Sequence, residues 1–151
     1  MFAHRGGCAL GPENTIAAFD RGLETGADGL ELDVRLSVDG IVVVCHDATL
    51  ERTTNASGPV AARTAAELSQ VDAGYHFTDV SGHHPFRGRG VGVPTLRDVL
   101  NRYPDIPIIV EMKPDSEEMG LALAAGVVAA DAVDRVCAAG YGSRSLAAVR
   151  G

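Results

Sequence analysis

The feature that most constrains the fold is a repeated pattern in which apolar segments end abruptly in ionisable residues, with helical patterns elsewhere in the chain. The apolar runs at 41–45 and 106–110 end in His46 and in Glu111-Met112-Lys113. Continuous apolar runs of this length are typical of strands buried on both faces of a parallel sheet. Helical patterns occupy about 16–24, 95–103, 116–130 and 143–150. This combination of strands and helices predicts an α/β fold with a parallel sheet.

A further strand pattern, at about 30–36, carries two acidic residues on one face. Successive side chains of a strand point to opposite sides, so Glu31 and Asp33 share a face. Two carboxylates about 7 Å apart along a strand repel each other unless a positive charge lies between them. A hard divalent cation, Mg²⁺ or Ca²⁺, suits oxygen ligands of this kind. From these residues alone, an edge strand with a solvated acidic face is the alternative.

Other ionisable residues also fall at the C-terminal ends of predicted strands. They are His4, Arg5, His46, Glu111 and Lys113. In a (β/α)8 barrel, or TIM barrel, the active site lies at this end of the strands. The chain contains only five predicted strands, at about 1–5, 30–36, 41–45, 106–113 and 135–139. Five strands are fewer than the eight of a closed barrel.

The link between the second and third predicted strands is unusually short. It consists of Ser37-Val38-Asp39-Gly40, which is typical of a turn. A crossover between parallel strands usually needs about a dozen residues or more. The two strands therefore either form a hairpin or are joined by an extended arm that returns along the barrel.

Residues from about 48 to 92 differ in character from the rest of the chain. They are rich in Gly, Thr, Ser and His, with one short helical pattern at about 61–68. The segment is too long for an ordinary loop, and long loops in compact domains are usually functional. We expect an insertion, for example a substrate-facing cap, within a single domain of residues 1–151.

Composition excludes several classes of partner and location. A net charge of −7 argues against a general nucleic-acid binder, whose surface would be basic. The longest apolar stretch, 121–130, is far shorter than the roughly 18 residues of a transmembrane helix, and no signal peptide precedes His4. The three cysteines lack C-x-x-C spacing and fit a reducing compartment. We expect a cytoplasmic protein with neither a nucleic-acid partner nor a stable membrane anchor.

An ordered set of short motifs resembles the glycerophosphodiester phosphodiesterases. In chain order they are His4-Arg5-Gly6, Pro12-Glu13-Asn14-Thr15, Glu31-x-Asp33, Ser37-x-Asp39-Gly40, His46-Asp47, Arg52-Thr53-Thr54, Val93-Pro94-Thr95-Leu96 and Glu111-x-Lys113. The resemblance covers nearly the whole chain. It implies a TIM barrel of the phospholipase-C-like phosphodiesterase kind, of which this chain would supply the first five strands, with a small insertion after the third strand.

The resemblance also implies a chemistry and a role for each site residue. The reaction would be a metal-dependent hydrolysis of a glycerophosphodiester to glycerol 3-phosphate and an alcohol such as choline, ethanolamine or glycerol. One divalent cation, Mg²⁺ or Ca²⁺, would bind to Glu31, Asp33 and Glu111. The implied acid–base pair is His4 and His46, and the implied phosphate contacts are Arg5 and Lys113. Histidine side chains suit proton transfer near neutral pH.

Several residues have plainer interpretations. A histidine such as His4 can be an ordinary surface residue, and Arg5 can form a structural ion pair with Glu13. We expect Arg52 to anchor the insertion. We also expect Asn14 and Thr15 to cap a helix, with a substrate role open.

Two other functions stay open at this stage. The first is a related phospholipase D or lyase that acts on lysophospholipids. The second is a non-catalytic, truncated fragment that binds a metal or a partner without turnover. A barrel that lacks strands leaves unpaired edges, and such edges favour self-association.

Overall fold

A five-stranded sheet forms the centre of the computed structural model, which describes residues 1–150. The strands are β1 (Phe2–His4), β2 (Gly29–Leu36), β3 (Val42–Val44), β4 (Ile108–Met112) and β5 (Val136–Ala139). Strands β1, β2, β4 and β5 lie side by side in that order and are parallel. The predicted α/β fold with a parallel sheet is therefore confirmed.

The helices lie close to their predicted positions because local capping signals define their ends. They are α1 (Ile16–Glu24), α2 (Ala65–Leu68), α3 (Leu96–Arg102), α4 (Glu117–Ala129) and α5 (Ser143–Arg150). The side chains of Thr15, Thr95 and Ser116 accept hydrogen bonds from the first turns of α1, α3 and α4. Such caps satisfy amide groups that have no partner within the helix.

Strand β3 is antiparallel to β2, so the apolar run at 41–45 is not a strand of the parallel sheet, and of the two alternatives for the short link the hairpin is correct. The short link is thus a hairpin turn, with Gly40 in the left-handed region at a φ of 73°. The run is continuously apolar for a different reason. Val42 and Val44 pack in the main core, whereas Val43 and Cys45 pack in a second cluster with the insertion. Both faces of β3 are therefore buried without flanking parallel strands.

The insertion, residues 48–92, has a small core of its own. A single 3₁₀ turn, Val60–Ala62, and helix α2 replace the one helical segment predicted at about 61–68. Leu50, Val60 and Leu68 are fully buried and pack with Val43 of β3. The insertion is therefore seated on the outer face of the β3 hairpin.

Arg52 ties the insertion to the loop that follows β1. Its guanidinium donates to Glu13 Oε2 at 2.8 Å and Oε1 at 2.7 Å, and to Asp47 Oδ2 at 2.6 Å. The hydrogen bond from Arg52 holds the pKa of Asp47 well below its usual range. Burial raises the pKa of Glu13, but the hydrogen bonds and charges of Arg52 and Arg5 outweigh it, so that this pKa is also lowered. Arg52 thus anchors the insertion, in agreement with the sequence.

Strands β1 and β5 are the two ends of the parallel sheet, so the barrel is not closed within the described residues 1–150. The main core lies between the sheet and helices α1, α3 and α4. Across this same part of the chain, no helix combines the length and the apolar character that a membrane span requires.

Two leucines of α4 provide a matched test of this core. Leu123 is 1% exposed, whereas Leu121 is 55% exposed. We expect Leu123→Ala to lower the free energy of unfolding by about 2–5 kcal/mol, because it removes buried methyl groups and leaves a cavity. Leu121→Ala changes helix propensity equally and should cost less than about 1 kcal/mol. Urea denaturation of both variants measures the difference, and equal losses would contradict the assigned orientation of α4.

The Arg52 ion pairs predict a pH dependence of stability. The pKa values of Asp47 and Glu13 are lowered in the folded state, so their stabilisation is present above the unfolded pKa values and is lost as the pH falls through the folded ones. We expect Arg52→Met to cost about 1 kcal/mol near neutral pH, since the side chain is partly exposed.

The measurement is the melting temperature of wild type and variant between about pH 6 and pH 3. The gap between them should shrink as the pH falls. Arg97 of α3 is exposed, and no ion pair involving it is seen in residues 1–150, so Arg97→Met is the control. A gap that is constant with pH would contradict the proposed origin of this stability.

Candidate active site

Three carboxylates converge because of the register between β2 and β4. Asp33 lies directly beside Glu111 in the parallel pair, and Glu31 precedes Asp33 by two residues on the same face. One carboxylate oxygen from each of the three lies within 4.8 Å of the others. Glu111 of the neighbouring strand β4 thus adds a third carboxylate to the predicted acidic face of β2.

The carboxylates are held at close range in a partly dehydrated site. Asp33 is 1% exposed, and Glu31 and Glu111 are partly buried. Burial raises the pKa of Glu31, and the nearby charges of Asp33 and Glu111 raise it further. A hydrogen bond of 2.9 Å from the backbone N–H of Arg5 to Glu31 Oε2 opposes this effect. The raised pKa reflects a site that favours an added positive charge.

Two cationic side chains lie against the carboxylates. Lys113 Nζ is 3.1 Å from Asp33 Oδ1 and 3.3 Å from Glu111 Oε1. Arg5 Nε is 3.3 Å from Asp33 Oδ2, and Arg5 Nη1 donates to Glu13 Oε1 at 2.9 Å. The structural ion pair between Arg5 and Glu13, which the sequence analysis gave as the alternative to a phosphate-binding role for Arg5, is therefore present. It leaves the guanidinium beside the acidic cluster.

Asn14 also reaches this site, which corrects its assignment as a helix cap. Thr15 alone caps α1. The side-chain amide of Asn14 donates to Asp33 Oδ2 at 2.9 Å, and its Oδ1 accepts from the Asp33 backbone N–H at 3.2 Å. The sequence signal was ambiguous because Asn is common both at helix caps and in the left-handed backbone conformation found here.

The two histidines differ in their surroundings. His4 is 66% exposed, and its Nε2 lies 3.9 Å from Glu31 Oε2. His46 Nδ1 lies 2.6 Å from Asp47 Oδ1. Because Arg52 keeps Asp47 ionised, that carboxylate acts as an acceptor and His46 Nδ1 carries the proton. In the neutral imidazole, Nε2 is then free to accept a proton.

Six of the seven residues predicted for the site form one connected cluster. They are His4, Arg5, Glu31, Asp33, Glu111 and Lys113. Within residues 1–150, the His46 ring has no ion pair with this cluster and is connected to it through Asp47, Arg52 and Glu13. The role of Asp47 was not predicted from the sequence, although a carboxylate directly after a histidine is the signal that could have indicated it.

The three carboxylates are a suitable donor set for a divalent cation. Glu111 Oε1 is buried and makes no hydrogen bond within the described chain, and Lys113 contacts it only as an ion pair. Carboxylate oxygens are the ligands that Mg²⁺ and Ca²⁺ prefer. The charge, the burial and the unsatisfied oxygen all fit a cation at this position.

Comparison with known proteins places this arrangement in a family. A model of the glycerophosphoryl diester phosphodiesterase family matches residues 4–145. A glycerophosphodiester phosphodiesterase from Caldanaerobacter subterraneus subsp. tengcongensis is 43% identical over 113 residues, which cover 75% of this chain and 44% of that protein.

Solved structures of similar proteins have the same fold. The glycerophosphoryl diester phosphodiesterase domain of Rv2277c from Mycobacterium tuberculosis has a TM-score of 0.89 at 31% identity, over 99% of this chain and 55% of that one. A phosphodiesterase from Oleispira antarctica in complex with the product sn-glycerol-3-phosphate has a TM-score of 0.79 at 28% identity, over 99% and 60% of the two chains.

The chain spans about half the length of these relatives. It covers 44% of the Caldanaerobacter subterraneus protein and 55% of the Rv2277c domain chain. The family match nevertheless includes every residue of the candidate site, from His4 to Lys113. The ordered motifs, the TIM-barrel fold and the match over residues 4–145 together establish that this chain belongs to the glycerophosphoryl diester phosphodiesterase family.

Proposed function

We propose that this chain carries the site for metal-dependent hydrolysis of glycerophosphodiesters to glycerol 3-phosphate and an alcohol. The observation that carries this proposal is the cluster of Glu31, Asp33 and Glu111, with its carboxylate oxygens within 4.8 Å and with Arg5 and Lys113 in contact. Negative and positive groups placed together in this way suit a phosphate ester and a cation, since each needs a partner of opposite charge.

The family supports the identity of the substrate. The Oleispira antarctica relative was solved with sn-glycerol-3-phosphate as its product. We extend that product to this chain, so that the substrate is a small glycerophosphodiester and not a nucleic acid. The net charge of −7 is consistent with a small anion that is attracted only by the local cationic groups.

Glu31, Asp33 and Glu111 would hold one divalent cation, Mg²⁺ or Ca²⁺. When bound, the cation would offset the charge that develops on the phosphate oxygens during cleavage. Arg5 and Lys113 would bind the phosphate of the substrate next to this position. Arg5 is held for this task by Glu13, which Arg52 in turn fixes to the insertion.

His4 and His46 would act as the acid–base pair. His46 is prepared to accept a proton at Nε2, because Asp47 holds the opposite nitrogen in its protonated state. His4 is exposed beside Glu31 and would donate a proton to the leaving alkoxide. The insertion would form one wall of the site. It would also supply Arg52, which contacts Asp47 beside His46 and Glu13 beside Arg5.

We further propose that residues 1–151 form one partial barrel domain with the insertion at about 48–92. The outer edges of β1 and β5 offer unpaired backbone groups, which would allow self-association. The three cysteines are free, with Cys8 and Cys137 exposed, which favours a reducing location such as the cytoplasm.

Removal of the cation tests the metal role. With glycerophosphocholine and Mg²⁺ or Ca²⁺, we expect release of glycerol 3-phosphate that EDTA abolishes. Glu111→Gln should lower the rate by about 100-fold or more, because it removes one charged ligand.

The control for this test is Glu118→Gln, an exposed position in the first turn of α4, which should leave the rate unchanged. Activity that survives EDTA and Glu111→Gln would contradict a metal-dependent reaction. A cyclic phosphate as the accumulating product would indicate a lyase instead.

Substitution of the histidines tests the acid–base roles. We expect His46→Ala and His4→Ala each to lower kcat by about 10²–10⁴-fold, since each removes a positioned proton donor or acceptor. The affinity for Mn²⁺ should stay within about twofold, because neither histidine is a proposed ligand. His83→Ala, on the exposed part of the insertion, is the control. Retention of most activity in either site variant would remove that histidine from the mechanism.

A further inference from the structure

The loop between β1 and α1 buries one amide side chain against a proposed cation ligand. Asn14 is 4% exposed. Its Nδ2 donates to Asp33 Oδ2 at 2.9 Å, and its Oδ1 accepts from the Asp33 backbone N–H at 3.2 Å. The same amide group therefore contacts both the main chain and the carboxylate of Asp33, which fixes the rotation of that carboxylate.

The backbone of Asn14 is shaped for this contact. Its φ of 58° lies in the left-handed region, which Asn tolerates better than most residues. The backbone N–H of Asn14 donates to the carbonyl of Arg5 at 3.0 Å, so the loop is tied to the end of β1. Thr15 caps α1, so the Asn14 side chain is not needed as a helix cap and makes both of its hydrogen bonds to Asp33.

The hydrogen bond to Asp33 Oδ2 determines the direction of the other oxygen. Lys113 Nζ lies 3.1 Å from Asp33 Oδ1 and 3.3 Å from Glu111 Oε1, so Oδ1 is the oxygen on the Glu111 side. Arg5 Nε also lies 3.3 Å from Oδ2, but Asn14 is the partner that donates a hydrogen bond to this oxygen. Without the amide, the Asp33 carboxylate would be held only by its ion pairs with Arg5 and Lys113, which define its rotation less sharply than a hydrogen bond. Groups that fix a ligand in this way commonly change metal affinity by about 10–100-fold.

We propose that Asn14 is a positioning residue for the cation site, which holds Asp33 Oδ1 toward Glu111 by binding Oδ2 and the Asp33 backbone. The proposal rests on the proposed function in one respect, namely that Glu31, Asp33 and Glu111 hold a divalent cation. It adds that the affinity for the cation depends on a residue that is not itself a ligand.

The experiment measures Mn²⁺ affinity by the electron paramagnetic resonance signal of free Mn²⁺, because carboxylates bind Mn²⁺ as they bind Mg²⁺. The principal variant is Asn14→Gly, since Gly adopts a positive φ without strain and only the amide group is lost. Asn14→Ser is the second variant, with a polar side chain too short to reach both groups of Asp33, and it is used if the first does not fold.

A matched control is available in the insertion. Asn55 Oδ1 accepts from the Asp72 backbone N–H at 2.8 Å, so Asn55→Gly removes a similar contact away from the cluster. Circular dichroism and the melting temperature without metal check the fold of each variant. Glu111→Gln verifies that Mn²⁺ binds at the carboxylate cluster.

We expect Asn14→Gly and Asn14→Ser to raise the Kd for Mn²⁺ by about 10–100-fold, with a folded protein and with Asn55→Gly within about twofold of wild type. In the hydrolysis assay, the Mn²⁺ concentration for half-maximal rate should rise by the same factor as the Kd. The kcat at saturating Mn²⁺ should be largely retained. If Asn14 had a purely structural role, its substitution would lower the melting temperature but would not raise the Mn²⁺ requirement while kcat is retained.

Two results would overturn the proposal, and they can be told apart. If Glu111→Gln abolishes Mn²⁺ binding but folded Asn14→Gly or Asn14→Ser binds within about twofold of wild type, only the positioning role fails. If Mn²⁺ affinity does not depend on Glu111, the cation site itself is wrong, and the proposed function fails together with the role of Asn14.

Discussion

The structure of the site depends on the mutual repulsion of three carboxylates and on what offsets it. Glu31, Asp33 and Glu111 are brought together by the register of β2 on β4, in surroundings that are largely shielded from water. Such an arrangement is unfavourable unless cations and hydrogen-bond donors compensate for it. Arg5 and Lys113 supply part of the compensation, and a bound divalent cation would supply the remainder.

The groups behind the carboxylates link the site to the insertion. Arg52 contacts Glu13, which holds Arg5, and it contacts Asp47, which holds His46. The proposed phosphate contact and the proposed base therefore share one anchor, on a segment that is separate from the sheet. Through Arg52, the insertion is therefore tied to both residues of the proposed site without touching the carboxylate cluster itself.

The sequence predicted the elements with strong local signals and missed those that depend on packing partners. Thr15, Thr95 and Ser116 begin helices where the pattern indicated, because capping is a local property. The direction of strand β3 stayed open between a hairpin and a parallel crossover, since an apolar run does not reveal whether its second face meets a helix or an insertion. The pairing of Asn14 with Asp33 joins residues 19 positions apart, and no local pattern distinguishes it from a cap.

The central claim is that the three carboxylates bind one divalent cation, and anomalous scattering from a crystal grown with Mn²⁺ tests it most directly. If the cation binds there, a single strong anomalous peak is expected within about 2.0–2.5 Å of oxygens from Glu31, Asp33 and Glu111. Lys113 is expected to move away from its position between Asp33 and Glu111. A map with no peak at this position, in which Lys113 still bridges Asp33 and Glu111, would contradict it.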